Sequence, residues 1–225
     1  MSKKTILAAG TVVQHEKVVG GVSTWYTIPR VTEIGAIGDQ AEPKENTTLA
    51  DTHKTYGDGL QDSADKNLKG QYIPKQETGD EHYDDYVLQQ DFFKRCRAKE
   101  EFNVRVLWPD GEINGFLYKS LGFEFDSAAQ EDWMMWTTNG KQNTNTVFGL
   151  TVTGNNTIAV AGKSQLVVTA DPADLDLTGD TVYWTSSVPG KATVVDGLVT
   201  GVAAGVTIIT ATFRGVSASI EVTVS

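Results

Sequence analysis

The chain has 225 residues, 40% of them hydrophobic, with 29 acidic against 19 basic side chains and a formal charge of −10. That length allows one large domain or two small ones, and the acidic balance excludes the basic footprint of a protein that grips nucleic acid. One cysteine, Cys96, leaves no internal disulfide, and no stretch approaches the roughly 20 apolar residues that cross a bilayer.

The opening MSKKTILAAGTVV lacks an apolar run long enough for a signal peptide, so the chain reads as cytosol-made, soluble and held together by packing. Residues 11–34 then hold two apolar, β-branched stretches, around TVVQHEKVV and WYTIPRVTEI. The following GDQAEPKENTTLADTHKTYGDGLQDSADKN is polar, charged and rich in glycine. A run of this kind inside a compact domain is usually functional or disordered, and it is not assigned to the core.

Residues 80–100, DEHYDDYVLQQDFFKRCRAKE, read as a helix. Thr78 and Glu81 have capping-box spacing. Acids crowd the start, and Lys94, Arg95, Arg97 and Lys99 the end, as the helix dipole favours. Tyr83, Tyr86, Val87, Phe92, Phe93 and Cys96 form its apolar stripe, with Cys96 expected as a buried structural thiol.

NVRVLWPDGEINGFLYKSLGFEFD reads as a hairpin turning at Pro109-Asp110-Gly111. Val104, Val106 and Trp108 share one face. Leu121, Phe123 and Phe125 are expected inward, with Glu124 and Asp126 in water. A last strand runs through QEDWMMWTTN, and NGKQNTNT reads as the link between a domain at 1–150 and another at 155–225.

From Thr157 onward the period is two: Leu166, Val168 and Ala170; Val182 and Trp184; Ile209, Ala211 and Phe213; Ala218, Ile220, Val222 and Val224. With turn signals at SVPGK, VDG, AAG and FRG, this alternation predicts an all-β sandwich. The stretch IAVAGKSQLVVTADPADL, then VYWTSSVPGKATVVDGLVTGVAAGVTIITATFRGVSASIEVTV, resembles a bacterial Ig-like domain of group 2. That resemblance covers about the last 70 residues and implies a disulfide-free sandwich with Trp184 and Phe213 in its core.

No catalytic constellation emerges. His15, His53 and His82 are scattered without metal-ligand spacing, and His82 with Asp84 and Asp85 reads as helix-start charge. No nucleophile elbow, P-loop or dinucleotide fingerprint follows a strand. Glu131 and Asp132 could serve a glycosidase and Trp133 and Trp136 could stack on sugars, but burial or an interface is the better reading of the tryptophans. Asn46-Thr47-Thr48 matches a glycosylation acceptor without secretory context. Asp171, Asp174, Asp176 and Asp180 lack the glycine-centred spacing of a calcium loop. The chain is expected not to be an enzyme and to need no cofactor.

TTLADTHKTYGDGLQDSADKNLKGQYIP resembles the pattern of siphophage, lambda-like major tail tube proteins: Thr48, Leu49 and Asp51, then Gly59, Leu60 and Asp62, ahead of a helix. VRVLWPDGEINGFLYKSLGF is similar to that family's hairpin after the helix. The resemblance implies a mainly β fold, with an N-terminal β-sandwich or barrel-forming tube domain, one flanking helix and an outward Ig-like sandwich. It implies self-association into stacked hexameric rings, with the excursion at about 38–64 contacting the next ring through Asp39, Glu42, Glu45, Asp51, Tyr56, Asp58 and Leu60.

Further implied partners are a tail-tip initiator, a tape measure protein, a tail terminator, genomic DNA passing without specific binding, and host cell-surface glycans for the Ig-like module. The place would be the virion, assembled in the host cytoplasm. Residues 1–153 carry 16 basic and 23 acidic groups, a charge of −7, against 3 and 6, or −3, in 154–225. An acidic bore lets DNA slide where a basic one would bind phosphates. Glu112, Glu124, Asp126, Glu131 and Asp132 are the candidates for that lining, the outer face being the alternative for any one of them. The rival class is a bacterial surface adhesin or carbohydrate-binding module.

Overall fold

A computed structural model describes residues 9–19, 22–37, 65–126, 134–173, 175, 177 and 181–225, together with the backbone of 39–45 and 56–63. The protein is mainly β, 55% strand and 9% helix. Two compact units divide it: residues 1–104 with 116–146, and residues 105–115 with 147–225.

In the first unit the chain runs β1 (Val12–Val19), β2 (Val22–Thr27), β3 (Val31–Ile34), β4 (Asp39–Glu45), β5 (Tyr56–Ser63), β6 (Leu68–Gln71) and α1 (Tyr83–Arg97), followed by β7 (Glu101–Leu107), β8 (Ile113–Phe125) and β9 (Met135–Gln142). The tip of the β7–β8 hairpin groups with the second unit. Seven strands form one sheet in the order β2-β1-β7-β8-β9-β6-β3. Its opposite edges, β2 and β3, are separated in sequence by only Ile28, Pro29 and Arg30. The sheet therefore curls until its two sides approach. The Ile28 N–H donates to the Val13 carbonyl (2.8 Å) and the Gln71 N–H to the Arg30 carbonyl (3.0 Å).

Helix α1 covers the apolar side of that curl. Phe92, Phe93 and Cys96 are fully buried, and the Phe93 ring centroid lies 4.5 Å from Phe123 and 5.4 Å from Trp136. Gln89 fills the seam: its side-chain N–H₂ donates to the Gln71 carbonyl (2.9 Å) and its oxygen accepts the Ile73 N–H (2.8 Å). Residues expected to be core but lying outside this contact differ for local reasons. Val87 of the predicted stripe is exposed, and buried Gln89 takes the inward position instead. The helix also begins later than its capping-box spacing predicts. His82 is the N-cap and makes no side-chain cap bond, and Asp80 accepts the Glu77 N–H (2.8 Å) in a turn that precedes the helix.

Leu121, expected inward, is 50% exposed. The β8–β9 register shifts between Ser120, opposite Gly140, and Gly122, opposite Asn139. This bulge inserts one residue and switches the inward parity from Tyr118 and Ser120 to Phe123 and Phe125. Phe125 keeps aromatic contacts with Tyr72 and Phe93 while remaining half exposed. The stretch expected as a polar link is partly strand: β9 continues through Asn139–Gln142, with Gly140 under the Tyr118 ring, where a β-carbon would lie 2.3 Å from it.

The second unit contains β10 (Gly149–Thr153), β11 (Thr157–Ile158), β12 (Lys163–Gln165), β13 (Val167–Asp171), β14 (Tyr183–Ser186), β15 (Ala192–Val195), β16 (Leu198–Gly201), β17 (Gly205–Phe213) and β18 (Val216–Val224). The sheets β11-β18-β17-β14 and β12-β16-β15 enclose Ile158, Leu166, Ala192, Val199, Ile209, Val222 and Val224. Trp184 is half-buried and packs against that cluster. Phe213 is fully buried in a second cluster with Val147 and Val216, flanked by Ile113. Two-residue turns at Asp196-Gly197 (φ 49° and 75°) and Arg214-Gly215 (φ 47° and 82°) close the β15–β16 and β17–β18 hairpins. Left-handed pairs of this kind match the twist of the strands they join.

Candidate assembly surfaces

Residues 38–64, a polar excursion in the sequence, contain an antiparallel pair of strands. β4 and β5 form a two-stranded sheet in which Asp39 faces Ser63, Glu45 faces Tyr56 and Pro43 faces Asp58. Between Ala41 and Pro43 the register shifts, so that Glu42 stands against both Gly59 and Leu60. β3 pairs with β6 immediately before and after in the chain, and β4–β5 therefore prolongs that hairpin as a ribbon. Asp51 and the Asn46–Thr48 motif lie outside the described residues.

A two-stranded ribbon is marginal in water unless another element covers it. Among the described residues no third strand joins β4–β5, and β2 and β3 each have one sheet neighbour only. Unpaired strand borders expose rows of backbone donors and acceptors, which proteins either protect or use for pairing.

The side of the seven-stranded sheet turned away from α1 carries a polar patch across β3, β6, β9 and β8. Glu33, Lys69, Thr137 and Glu124 stand in one row across β3, β6, β9 and β8. Lys69 pairs with Asp126 (2.5 Å), and Thr137 donates to the same carboxylate (3.4 Å). In another row Lys119 faces Lys141, which pairs with Asp65 (2.8 Å). Glu16, nearly buried, accepts from Ser23 and from the Asn103 amide (2.7 Å). Of the acidic candidates, Glu124 and Asp126 share this face, Glu124 exposed and Asp126 half-buried in its ion pair. Glu112 is exposed in the turn that opens β8, where its N–H bonds the Asp110 carboxylate (3.1 Å). Glu131 and Asp132 lie outside the described residues. Sequence reading missed Glu16, Glu33 and the three lysines of this face, because only the register puts them beside Glu124.

Beneath the polar face the groups are locked. Tyr118 and Thr138 hydroxyls bond at 2.9 Å, and the Ser120 hydroxyl donates to the Cys96 carbonyl (3.0 Å), tying α1 to the sheet. Burial pushes the Cys96 thiol up to about 11, which keeps it an inert thiol. His15 sits in a cage of Tyr26, Phe92 and Phe102. Arg95 donates to its Nδ1 (2.9 Å) and to the Glu16 carbonyl (2.6 Å), so the ring proton is on Nε2. Burial, then the Arg95 charge, lowers the His15 pKa to about 4. Among the described residues no three His, Cys, Asp or Glu side chains gather as a metal site.

No family model matches the chain, and no curated protein matches it. Among solved structures, the chain is similar to a protein in the tail of an empty GTA particle, computed with helical refinement in C6 symmetry. The TM-score is 0.45 at 14% identity, over 60% of this chain and 94% of that one. It is similar to a protein of the six-fold symmetrised anti-feeding prophage baseplate (TM-score 0.44, 9% identity, 64% of this chain and 94% of that one). It is also similar to the SPP1 tail tube protein in a hybrid structure from solid-state NMR and cryo-EM (0.43, 7%, 61% and 76%).

Proposed function

We propose that this chain is the structural subunit of a phage tail tube, polymerising as stacked hexameric rings into a non-contractile conduit for DNA. The observation that carries the reading is the β4–β5 ribbon, which no third strand joins among the described residues, beside a sheet whose border strands β2 and β3 each have one strand neighbour among those residues. The succession along the sequence of the motifs around Thr48 and Leu60 and then the hairpin at 104–123 supports the same family. In this reading β2 and β3 join neighbours within a ring, and the ribbon, with Asp39, Glu42, Glu45, Asp51, Tyr56, Asp58 and Leu60, reaches the next ring. The polar sheet face, with Glu124 and Asp126, turns to the bore. The module at 155–225 is displayed outside as an Ig-like domain, where a host-surface glycan is its ligand class. Assembly starts in the host cytoplasm on a tail-tip initiator, around a tape measure, and stops at a terminator.

Negative-stain microscopy of the concentrated purified protein tests this. Uniform hollow tubes with lateral projections are expected. Dispersed monomers at every concentration would sink the proposal and leave the adhesin or carbohydrate-binding reading standing.

A further inference from the structure

Residues 76–93 contain no lysine or arginine and carry six acids, whereas four of the chain's 19 basic side chains fall within residues 94–99. Helix α1 is therefore acidic at one end and basic at the other. Asp80, Glu81 and Asp84 are exposed at the first end, Lys94 and Lys99 at the second. The helix dipole accounts for the order of these charges within the terminal turns, but Asp80 and Glu81 lie ahead of the first helical residue, Tyr83.

The two ends do not neutralise each other within one copy. Fifteen residues of helix span about 22 Å, well beyond the ~8 Å over which charge is felt at physiological salt. Glu81, Asp84, Lys94 and Lys99 make no ion pair with any described residue, in contrast to Lys17 with Asp91 (3.0 Å) and Arg95 with Glu100 (2.8 Å).

Shape points the same way. At the basic end an open cleft is lined by Lys17, Val18, Asp91, Lys94, Arg95 and Glu100. Val18 at the cleft and Val87 on the helix are both exposed, 52% and 44%, so each charged end has an apolar residue beside it. A chain of net charge −10 repels its own copies, and association needs a local basic surface to receive an acidic one.

We infer that α1 is an electrostatic joint between copies: the acidic Asp80–Asp84 end of one subunit docks at the Lys94 cleft of the next. The contact is head-to-tail, the kind that closes into a ring or extends as a filament. It rests on the self-assembly proposed above and adds the residues that set its direction.

The test uses two charge-reversed chains, Glu81→Lys/Asp84→Lys and Lys94→Glu/Lys99→Glu, read by sedimentation velocity and negative stain. Each alone should need about tenfold more protein to assemble, since like charges then meet across the contact. An equimolar mixture should recover wild-type assembly, because a subunit with two positive ends then alternates with one carrying two negative ends. Wild-type assembly should also weaken between about 0.05 M and 0.5 M NaCl, a readout that needs no variant and decides the matter if a reversal unfolds the chain. Variants that assemble as readily as wild type, a folded mixture that does not recover, or salt-independent assembly would each overturn the joint while leaving the tube. A wild-type chain that never assembles would overturn both.

Discussion

Two antiparallel strand pairs in this protein differ in register and in composition. β17–β18 pairs nine residues with nine, closes through Arg214-Gly215, and alternates buried Ile209, Ala211 and Phe213 with an outer row in which Thr210 bonds Ser219 and Thr212 bonds Ser217 at 2.8 Å each. β4–β5 pairs eight residues with seven across a bulge and consists of DQAEPKE against YGDGLQDS, with no apolar period. Ladder hydrogen bonds alone contribute little net stability, since water offers the same bonds to the unfolded chain. A ribbon's stability therefore calls for a buried face. The first has one within its own unit. In the proposed reading the second acquires one from another copy.

The sharpest way to break the comparison is to remove the buried face from β17–β18. Phe213→Ala should cost the second unit about 3–5 kcal/mol, seen as a large fall in its thermal midpoint by calorimetry. Leu60→Ala in β5 should leave the monomer's melting unchanged while impairing assembly. Equal monomer destabilisation by both would mean that the two ribbons are held in the same way.

Acid should then separate the units. His15 lies in the first unit and has a folded pKa of about 4 against 6.5 unfolded. Between those values the unfolded chain binds more protons, so stability present above pH 6.5 is lost as pH falls towards 4. The loss amounts to about 3 kcal/mol for this group. Calorimetry at pH 7 and pH 4.5 should show the first unit's transition moving down further than the second's, and His15→Phe should narrow the difference. An equal shift in both transitions for wild type and variant would remove His15 as the cause.

A smaller effect is expected at Gly115, where a β-carbon would lie 2.2 Å from the Arg214 carbonyl oxygen. Gly115→Ala forces that turn to move, at a cost of about 1–3 kcal/mol by overpacking, in the second unit's transition only. Smallest of all is the effect on monomer stability of deleting residues 45–58. The shortened chain should keep its circular dichroism and melting temperature and fail to polymerise. Tubes from that variant would detach the ribbon from the stacking role.

Much of the fold was legible wherever one face of a strand is buried. The alternation at Ile209 and Val222, and the Asp-Gly and Arg-Gly turns, state the strands and their reversals directly, because side-chain period and turn conformation are local properties. The helix was legible from its stripe, although its start was not: Asp80 served a turn ahead of it. β4 and β5 were not legible, since DQAEPKE and YGDGLQDS have no apolar alternation to mark them as strands. The polar face was legible only in part. Glu124 and Asp126 follow from parity, while Lys69 and Glu33 join them through pairings between residues far apart in the chain.

The sequence by itself determined the mainly β character, the single acidic-to-basic helix and the position of the turns, all of which depend on neighbours within a few residues. Only the tertiary structure decided that Leu121 points outward, that Gln89 closes the seam, and that β2 and β3 stand at opposite borders of a curled sheet. Those outcomes rest on which strand lies beside which. A one-residue shift between partners reverses every side chain beyond it, and no local pattern records that shift.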